Sequence, residues 1–366
     1  MNETTRQIAG LTLDVPGVNW ILRRRTRSLG IVFMLHRMAC PELGTGGHRA
    51  EDLRAFLSYL RRRKIRVVPV CQMIREARAG GMDRGGPLVS FTLDDGYQDQ
   101  AVIAAPIFRE FGVPATLFPV TEFLDGARWM WWDRLSLLFS EAPSGTYRLP
   151  LPGGGPESVT LDSSQARTQH RQRFEWLFKS FPAKERDELL VRWQDELRVA
   201  LPDKPPERFA PMTWDQARDC EAMGITIGPH TVTHPILSRE STEQVRWEMA
   251  ESWRRLQKEV SAPVPVYCYS NGTPRDFGRR EMKIAGELGL EGALSTIAGY
   301  LRLAPPPHGD AVDPEAHFAI PRYSLPGDMP GFKRVVTGLA PGLIHRIPAA
   351  PESWEPRREG SLSSRA

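Results

Sequence analysis

Two pairs of side chains in this chain have the types and spacing that suit a divalent metal ion. Asp94 and Asp95 are adjacent and end an apolar run that starts at Pro87. His230 and His234 follow a second apolar run and are four positions apart, so one turn of the loop would point both at the same spot. Neutral imidazoles and one carboxylate suit Zn²⁺ or a similar ion, with coordination positions left open for water.

Each pair also has a simpler interpretation. Asp94-Asp95-Gly96 would serve equally well as a turn that caps a helix from Gln98 onward, and a lone histidine at such a position is usually structural. The combination favours the metal site. An uncompensated charge at the end of a core strand is costly, so the aspartates need a partner of opposite charge.

The segments that must position these residues alternate between strand-like and helix-like patterns. Helical stripes such as 51–64 separate the predicted strands. This alternation predicts an α/β fold with a parallel sheet, either doubly wound or closed into a barrel. Chemistry gathers at the carboxyl ends of the strands in both cases, and His36 lies at such an end. The predicted strands are 30–35, 66–70, 87–93, 115–120 and 224–228, followed by 292–296 and 317–320.

The alternation stops between Gly126 and Pro211, where no strand is predicted. Helical periodicity in this stretch indicates an insertion, and the aromatic group at 129–132 fits its core better than a platform for sugar rings. We therefore expect an N-terminal extension at 1–28, one domain at 29–345 with the insertion at about 126–211, and a disordered tail at 346–366.

Composition excludes several classes of protein. The net charge of +4 is too small to indicate a nucleic-acid partner, and no apolar run is long enough to span a membrane. Four scattered cysteines without a CxxC pair argue against a disulfide framework. No secretory signal is evident, so we expect a cytoplasmic protein. Residues 18–27 combine apolar and basic side chains and would suit either contact with the inner face of a membrane or a helix packed on the domain.

The two motifs resemble those of the polysaccharide deacetylases of carbohydrate esterase family 4, the NodB-homology domain. Residues 92–96 (Thr-Leu-Asp-Asp-Gly) resemble T-F-D-D-G, and residues 230–234 (His-Thr-Val-Thr-His) match H-[S/T]-x-x-H. The resemblance covers about residues 30–125 and 212–325. It implies a distorted (β/α) barrel with fewer than eight strands that hydrolyses an N-acetyl, or sometimes O-acetyl, group on a sugar.

The resemblance also implies roles for individual residues. Asp95, His230 and His234 would bind the metal, Zn²⁺ first and Co²⁺ or Ni²⁺ as alternatives, and Asp94 would be the catalytic base. The metal would polarise the acetyl carbonyl and activate the attacking water. The backbone N–H near Tyr97 would stabilise the oxyanion, and a further acid must protonate the leaving amine.

The third motif departs from the commoner family pattern because it contains no arginine. Residues 267–272 (Tyr-Cys-Tyr-Ser-Asn-Gly) resemble the F-x-Y-P-N-G subgroup, with Ser270 in place of the proline, so Tyr269 and Asn271 are candidate substrate contacts. We expect Arg322, in the later Ile-Pro-Arg segment, to pair with Asp94. The alternative is a solvent-exposed arginine.

Two histidines are candidates for the acid. Residues 343–345 (Leu-Ile-His) spell the usual L-x-H motif but lie in a Gly/Pro-rich tail with no strand before them. His36 ends a predicted buried strand, and a closed barrel brings its first and last strands together. We therefore assign the acid role to His36, with a core histidine that bonds a carbonyl as the alternative.

Three functions follow from these residues. The first is deacetylation of an N-acetylated glycan or glycan precursor, such as a nucleotide- or lipid-linked sugar in bacterial exopolysaccharide metabolism. The second is hydrolysis of a non-sugar C–N bond on the same fold. The third is a glycan-binding module without turnover, for which Cys268 and Ser270 are the only support. An insertion that walls a groove would favour an extended glycan.

Overall fold

The computed structural model describes residues 22, 24–80, 86–303, 313 and 315–346. Strands and helices alternate through most of this range, as expected. The strands are β1 Leu29–Leu35, β2 Arg66–Val67, β3 Leu88–Asp95, β4 Thr116–Pro119, β5 Gly145–Leu149, β6 Glu157–Leu161, β7 Thr226–Ile227, β8 Val266–Cys268, β9 Gly292–Leu294, β10 Gly299–Arg302, β11 Tyr323–Ser324 and β12 Leu343–Arg346. The helices are α1 Ala50–Arg62, α2 Val70–Arg78, α3 Ala105–Phe111, α4 Thr121–Leu124, α5 Trp131–Glu141, α6 Ser164–Phe178, α7 Ala183–Leu197, α8 Trp214–Ala222, α9 Thr242–Glu259, α10 Arg279–Glu287 and α11 Met329–Val336.

The main sheet has the strand order β12-β10-β1-β3-β4-β7, with β2 added to β3 and β11 to β1. The neighbours β1, β3, β4 and β7 are parallel, and so are β1 and β11. The central strands β1 and β3 are buried along their whole length, which explains their continuous apolar sequences.

Backbone hydrogen bonds close the parallel strands into a barrel. In the described part of the chain, the ring follows the order β1, β3, β4, β7, β8, β9, β11 and returns to β1. The bonds that join β7 to β8 and β9 to the segment before β11 run from Val264 N to Ile227 O, from Cys268 N to Pro229 O, from Ile320 N to Ala293 O and from Ser295 N to Ile320 O. The prediction of a distorted barrel with fewer than eight strands is confirmed.

The insertion has its own hydrophobic core. Helices α5, α6 and α7 pack around Trp193, Phe139 and Phe174. The expectation that this stretch contains no strand is wrong, because β5 and β6 form an antiparallel hairpin. Each strand is only five residues long, and the period-2 pattern of partly buried and exposed side chains is too short to stand out from the sequence.

Two further expectations near the C-terminus are wrong. His345 lies within a strand, since β12 pairs in parallel with β10. The stretch 317–320, predicted as a strand, is a 3₁₀ turn at Ala316–Phe318 followed by the single bridging residue Ile320. Both cases depend on partners distant in sequence, which a local pattern does not reveal.

The described residues include no helix with the length and apolar character to cross a bilayer. The proposed membrane-contact segment 18–27 lies partly outside the described residues. Within its described part, Leu22 and Thr26 are buried while Arg24 and Arg25 are exposed, which favours a helix packed on the domain. The tail predicted to be disordered lies, from 347 onward, outside the described residues.

Candidate metal centre and acid-base site

The carboxyl ends of the barrel strands surround a cavity of about 360 Å³. All nine site residues predicted from the sequence line this cavity, although they come from five separate stretches of the chain. They are His36, Asp94, Asp95, Tyr97, His230, His234, Tyr269, Asn271 and Arg322.

Asp95, His230 and His234 converge on one point. Asp95 Oδ1 lies 3.4 Å from His230 Nε2 and 3.5 Å from His234 Nε2. One ligand atom from each residue lies within 4.8 Å of the others, and all three side chains are buried. This spacing leaves room for one cation between the three atoms.

The chemistry of the two imidazoles fits a divalent ion. His230 Nδ1 lies 2.7 Å from the carbonyl oxygen of Cys268, which only accepts hydrogen bonds, so Nδ1 carries a proton and the lone pair of the neutral ring lies on Nε2, the atom that faces Asp95. Burial lowers the pKa of His234 to about 3, which leaves its imidazole neutral at physiological pH. Burial alone would raise the pKa of Asp95, but its interactions with the imidazoles of His230, His36 and His234 outweigh it and the pKa falls.

Strained backbone holds the ligands in place. Asp95, Thr231 and His234 have φ angles of 82°, 69° and 57°, a region that non-glycine residues rarely adopt. Gly96 follows with a φ of 92°, and a Cβ there would approach Leu124 to 2.6 Å. Such conformations persist where surrounding contacts over-determine them, and they cluster at functional sites.

Glu248 of α9 holds the loop that carries the two histidines. Its Oε2 accepts hydrogen bonds from the backbone N–H groups of Val232 (2.8 Å) and Thr233 (2.9 Å), and its Oε1 accepts from the Thr233 hydroxyl. The side chain is fully buried. Sequence reasoning missed this residue, because a glutamate within an amphipathic helix carries no signal that it faces inward.

Asp94 forms an ion pair with Arg322 beside the three candidate metal ligands. Arg322 Nη1 lies 2.9 Å from Asp94 Oδ1 and 2.7 Å from Oδ2, and neither side chain is more than 2% exposed. Burial raises the pKa of Asp94, but the charges of Arg322, His36 and His230 together outweigh it, so the net shift is downward. The predicted contact is present, and the alternative of a solvent-exposed arginine is wrong.

His36 faces the cavity, whereas His345 does not. His36 Nε2 lies 3.8 Å from Asp94 Oδ2, and its side chain is 45% exposed. His345 is not among the residues that line the cavity, and its Nε2 lies 2.6 Å from the carbonyl oxygen of Ala316. Of the two candidates, His36 is the one that lies beside Asp94.

The third motif contributes polar atoms to the same region. Tyr269 stacks on Phe277 with ring centroids 4.2 Å apart, and Asn271 has a φ of 59°. The Tyr269 hydroxyl and Asn271 Nδ2 have no hydrogen-bond partner among the described residues. The Cys268 thiol lies 3.5 Å from Asp94 Oδ2 and adds a weak donor to that carboxylate.

The insertion supplies a wall of the cavity that sequence reasoning missed. Trp132 and Asp133 of α5 line it, and Glu175 and Lys179 from the end of α6 lie at the same cavity. The Trp132 ring packs edge-on against His234, with centroids 4.8 Å apart. Burial raises the pKa of Asp133 to about 7. The sequence placed the aromatic group in the insertion core: Trp131 lies within that core, and Trp132 packs against its edge while also contacting His234.

A family model described as polysaccharide deacetylase matches residues 194–293. The match contains His230 and His234 but covers less than half of the chain and does not reach Asp94. No curated protein matches the sequence.

Solved structures with the same fold are similar over most of the chain. The deacetylase PplD of Streptococcus pyogenes, in complex with acetate, is 14% identical with a TM-score of 0.53, covering 85% of this chain and 99% of that chain. IcaB from Ammonifex degensii is 16% identical with a TM-score of 0.51, covering 86% and 99%. At these identities the similarity establishes the fold alone.

The family-model match over residues 194–293 agrees with the polysaccharide deacetylase resemblance of the second motif, and the solved structures agree with it in fold alone. The subgroup and the N-terminal position of the acid histidine stay predictions.

Proposed function

We propose that this protein hydrolyses the N-acetyl group of a sugar or glycan in a metal-dependent reaction. The observation that carries the proposal is the contrast between two adjacent carboxylates: Asp95 faces two imidazoles, whereas Asp94 faces Arg322 and His36. This contrast supports a cation-binding role for Asp95 and a proton-accepting role for Asp94. The family model over residues 194–293 supports the reaction class.

Asp95, His230 and His234 are the proposed metal ligands. When bound there, a divalent ion would polarise the acetyl carbonyl and lower the pKa of water toward about 7. We propose Zn²⁺, with Co²⁺ or Ni²⁺ as alternatives, because two imidazoles and one carboxylate suit these ions. The carbonyl of Cys268 fixes the tautomer of His230 that such a role requires.

Asp94 is the proposed general base. Arg322 keeps its carboxylate ionised and, by contacting both oxygens, fixes its orientation. In the proposed reaction Asp94 takes a proton from the water that attacks the acetyl carbon. Its burial at 1% exposure removes competing solvent, which strengthens the interaction with the reacting proton.

His36 is the proposed general acid. After water has added to the acetyl carbon, protonated His36 delivers a proton to the amine nitrogen, the C–N bond breaks, and acetate and the free amine are released. Its partial exposure at the mouth of the cavity leaves access for a leaving group that remains attached to a larger molecule.

Three further residues are proposed to contact the substrate. The backbone N–H of Tyr97, next to the aspartate turn, would stabilise the oxyanion that forms at the acetyl carbonyl. Tyr269 and Asn271 present unpartnered polar atoms to the same region and would bind the sugar. The cavity of about 360 Å³ lies at the lower end of the range for small-molecule sites.

The direct test is acetate release from a panel of N-acetylated sugars and oligosaccharides. The purified protein is stripped with a chelator and assayed with and without added Zn²⁺ or Co²⁺. We expect acetate from at least one N-acetylated sugar, only after metal is restored. Metal binding without acetate release from any member would contradict the proposal and favour hydrolysis of a different C–N bond or a glycan-binding module.

A further inference from the structure

One wall of the cavity is a hydrogen-bonded chain of side chains that links the insertion to the aspartate turn. Trp132 Nε1 donates to the hydroxyl of Tyr97 (2.8 Å), and that hydroxyl donates to Asp133 Oδ2 (2.6 Å). The order is fixed, because an indole N–H only donates and a hydroxyl has a single proton to give. Asp133 is therefore held in one orientation by a residue that follows the metal-binding aspartate.

The Tyr97 ring is itself immobilised. The Arg37 guanidinium lies over its face, 3.9 Å from the ring centroid, and Phe123 packs edge-on at 5.1 Å. Arg37 is in turn fixed by Asp99, whose carboxylate accepts from its Nε at 2.6 Å. These contacts fix the Tyr97 ring, and the hydrogen bond from its hydroxyl in turn fixes the Asp133 carboxyl group.

Asp133 has one carboxyl oxygen left for a ligand. Only 5% of the residue is exposed, and what remains faces the cavity that contains the metal ligands. Oδ2 is used by Tyr97, whereas Oδ1 has no hydrogen-bond partner among the described residues. Because Asp133 lines the cavity and Oδ1 is not among the buried atoms that lack a partner, this oxygen is accessible to a group that enters the cavity.

The surroundings of Oδ1 indicate which group this is. The neighbouring Trp132 offers an apolar ring beside His234, and no basic side chain of the described residues forms an ion pair with Asp133. A carboxyl oxygen next to an aromatic ring suits a sugar, whose hydroxyls donate hydrogen bonds and whose ring packs on aromatic surface.

We infer that Asp133 is a substrate-binding residue that hydrogen-bonds a hydroxyl of the sugar carrying the acetamido group, and that the insertion thereby selects the substrate. This inference rests on the proposed function. It predicts that the substrate carries a hydroxyl group close to the reacting acetyl group and that the insertion binds this hydroxyl.

The test is a comparison of substrates that lack single hydroxyls. The best N-acetylhexosamine of the panel and its 3-, 4- and 6-deoxy analogues are assayed for kcat/KM with the wild type, Asp133→Leu and the control Asp187→Leu. Asp187 is an acid of the same insertion that pairs with Arg134 outside the cavity. Metal content is measured for every variant, so that an effect on the ligands is separated from one on the sugar.

We expect the wild type and Asp187→Leu to lose about tenfold or more with one of the deoxy sugars, the cost of a hydrogen bond to a carboxyl group. Asp133→Leu should lose less than about twofold with that same analogue, because the missing hydroxyl and the missing carboxyl are one interaction. If Asp133→Leu does not fold, Asp133→Ala decides, since it also removes both carboxyl oxygens and should reduce the penalty in the same way.

The inference is overturned if the Asp133 variants keep the full wild-type penalty, or if the wild type tolerates removal of every hydroxyl. If either result is found with a wild type that releases acetate, the proposed deacetylation still stands. A metal-loaded wild type that releases acetate from no sugar overturns the proposed function and this assignment together.

Discussion

Arg322 and Asp94 are 228 residues apart in the chain, yet they form a fully buried ion pair at the centre of the candidate site. Arg322 also donates from Nη1 to the Thr92 hydroxyl and from Nε to the carbonyl of Ser295, so the guanidinium is anchored on strands from both halves of the barrel. The same arginine thus contacts the candidate base and helps to hold the barrel strands together.

Replacement of Arg322 by Met should impair both stability and turnover. It would leave the Asp94 carboxylate buried without a countercharge, which costs about 3–5 kcal/mol of unfolding free energy. Asp94→Asn in the same background should recover part of that loss, because the unpaired charge is gone. Urea unfolding of the two single variants and the double variant measures the coupling. Strictly additive costs would mean that the pair does not interact as described.

Replacing each of the two candidate acids by alanine should have a different effect on turnover. His36→Ala should reduce kcat for acetate release by about 10²–10⁴-fold with metal content unchanged, the usual range for loss of a general acid. His345→Ala should leave kcat within about threefold of the wild type, since its imidazole bonds a carbonyl away from the cavity. A larger loss in His345→Ala than in His36→Ala would reverse the assignment.

Glu248→Ala should weaken metal binding although Glu248 is not itself a proposed metal ligand. Loss of its carboxylate leaves the N–H groups of Val232 and Thr233 without their acceptor and frees the strained histidine loop. We expect the metal Kd to rise about 10–100-fold, as for other residues that orient metal ligands. Glu251→Ala, which removes a surface acid of the same helix, is the control. Unchanged metal affinity in folded Glu248→Ala would show that the loop holds its shape unaided.

Asp133 should make the metal-free protein less stable as pH rises. Burial, together with the negative charge of Asp95, raises its pKa to about 7 against the opposing effects of Tyr97, Arg37 and Arg208. Between its ordinary pKa near 4 and pH 7, the folded state keeps a proton that the unfolded chain releases, so the unfolding free energy falls with increasing pH.

Asp133→Asn has no such proton. Between pH 4.5 and 7.5 the wild type should lose roughly 3 kcal/mol more unfolding free energy than this variant. Denaturant titrations of chelator-treated protein at the two pH values measure the difference, with Asp187→Asn as control. Parallel pH profiles for the wild type and Asp133→Asn would show that Asp133 is ionised in the folded state.

Much of the site could be predicted from the sequence because its residues directly follow strands. A carboxylate or imidazole directly after a buried strand must lie at the same barrel edge as its counterparts, so Asp95, His230 and His234 were expected to meet. The contact of Arg322 with Asp94 was expected from resemblance to a subgroup motif, since nothing in the local pattern around Arg322 specifies its partner.

The parts that were not predicted depend on which way an element faces. Asp133 and Glu248 both lie on helices whose amphipathic patterns are compatible with several rotations about the helix axis. Trp131 packs in the insertion core, whereas the ring of the next residue, Trp132, packs on His234. Tertiary contacts alone determine these two side-chain directions. The strand at His345 likewise exists only because β10 offers its edge.

The division of labour between the adjacent aspartates is tested most directly by measuring bound metal and acetate release together in Asp94→Asn and Asp95→Asn. Asp94→Asn should retain stoichiometric metal and lose turnover by about 10²–10⁴-fold, whereas Asp95→Asn should lose the metal itself. Loss of metal in Asp94→Asn with retention in Asp95→Asn would contradict the account by reversing the two roles.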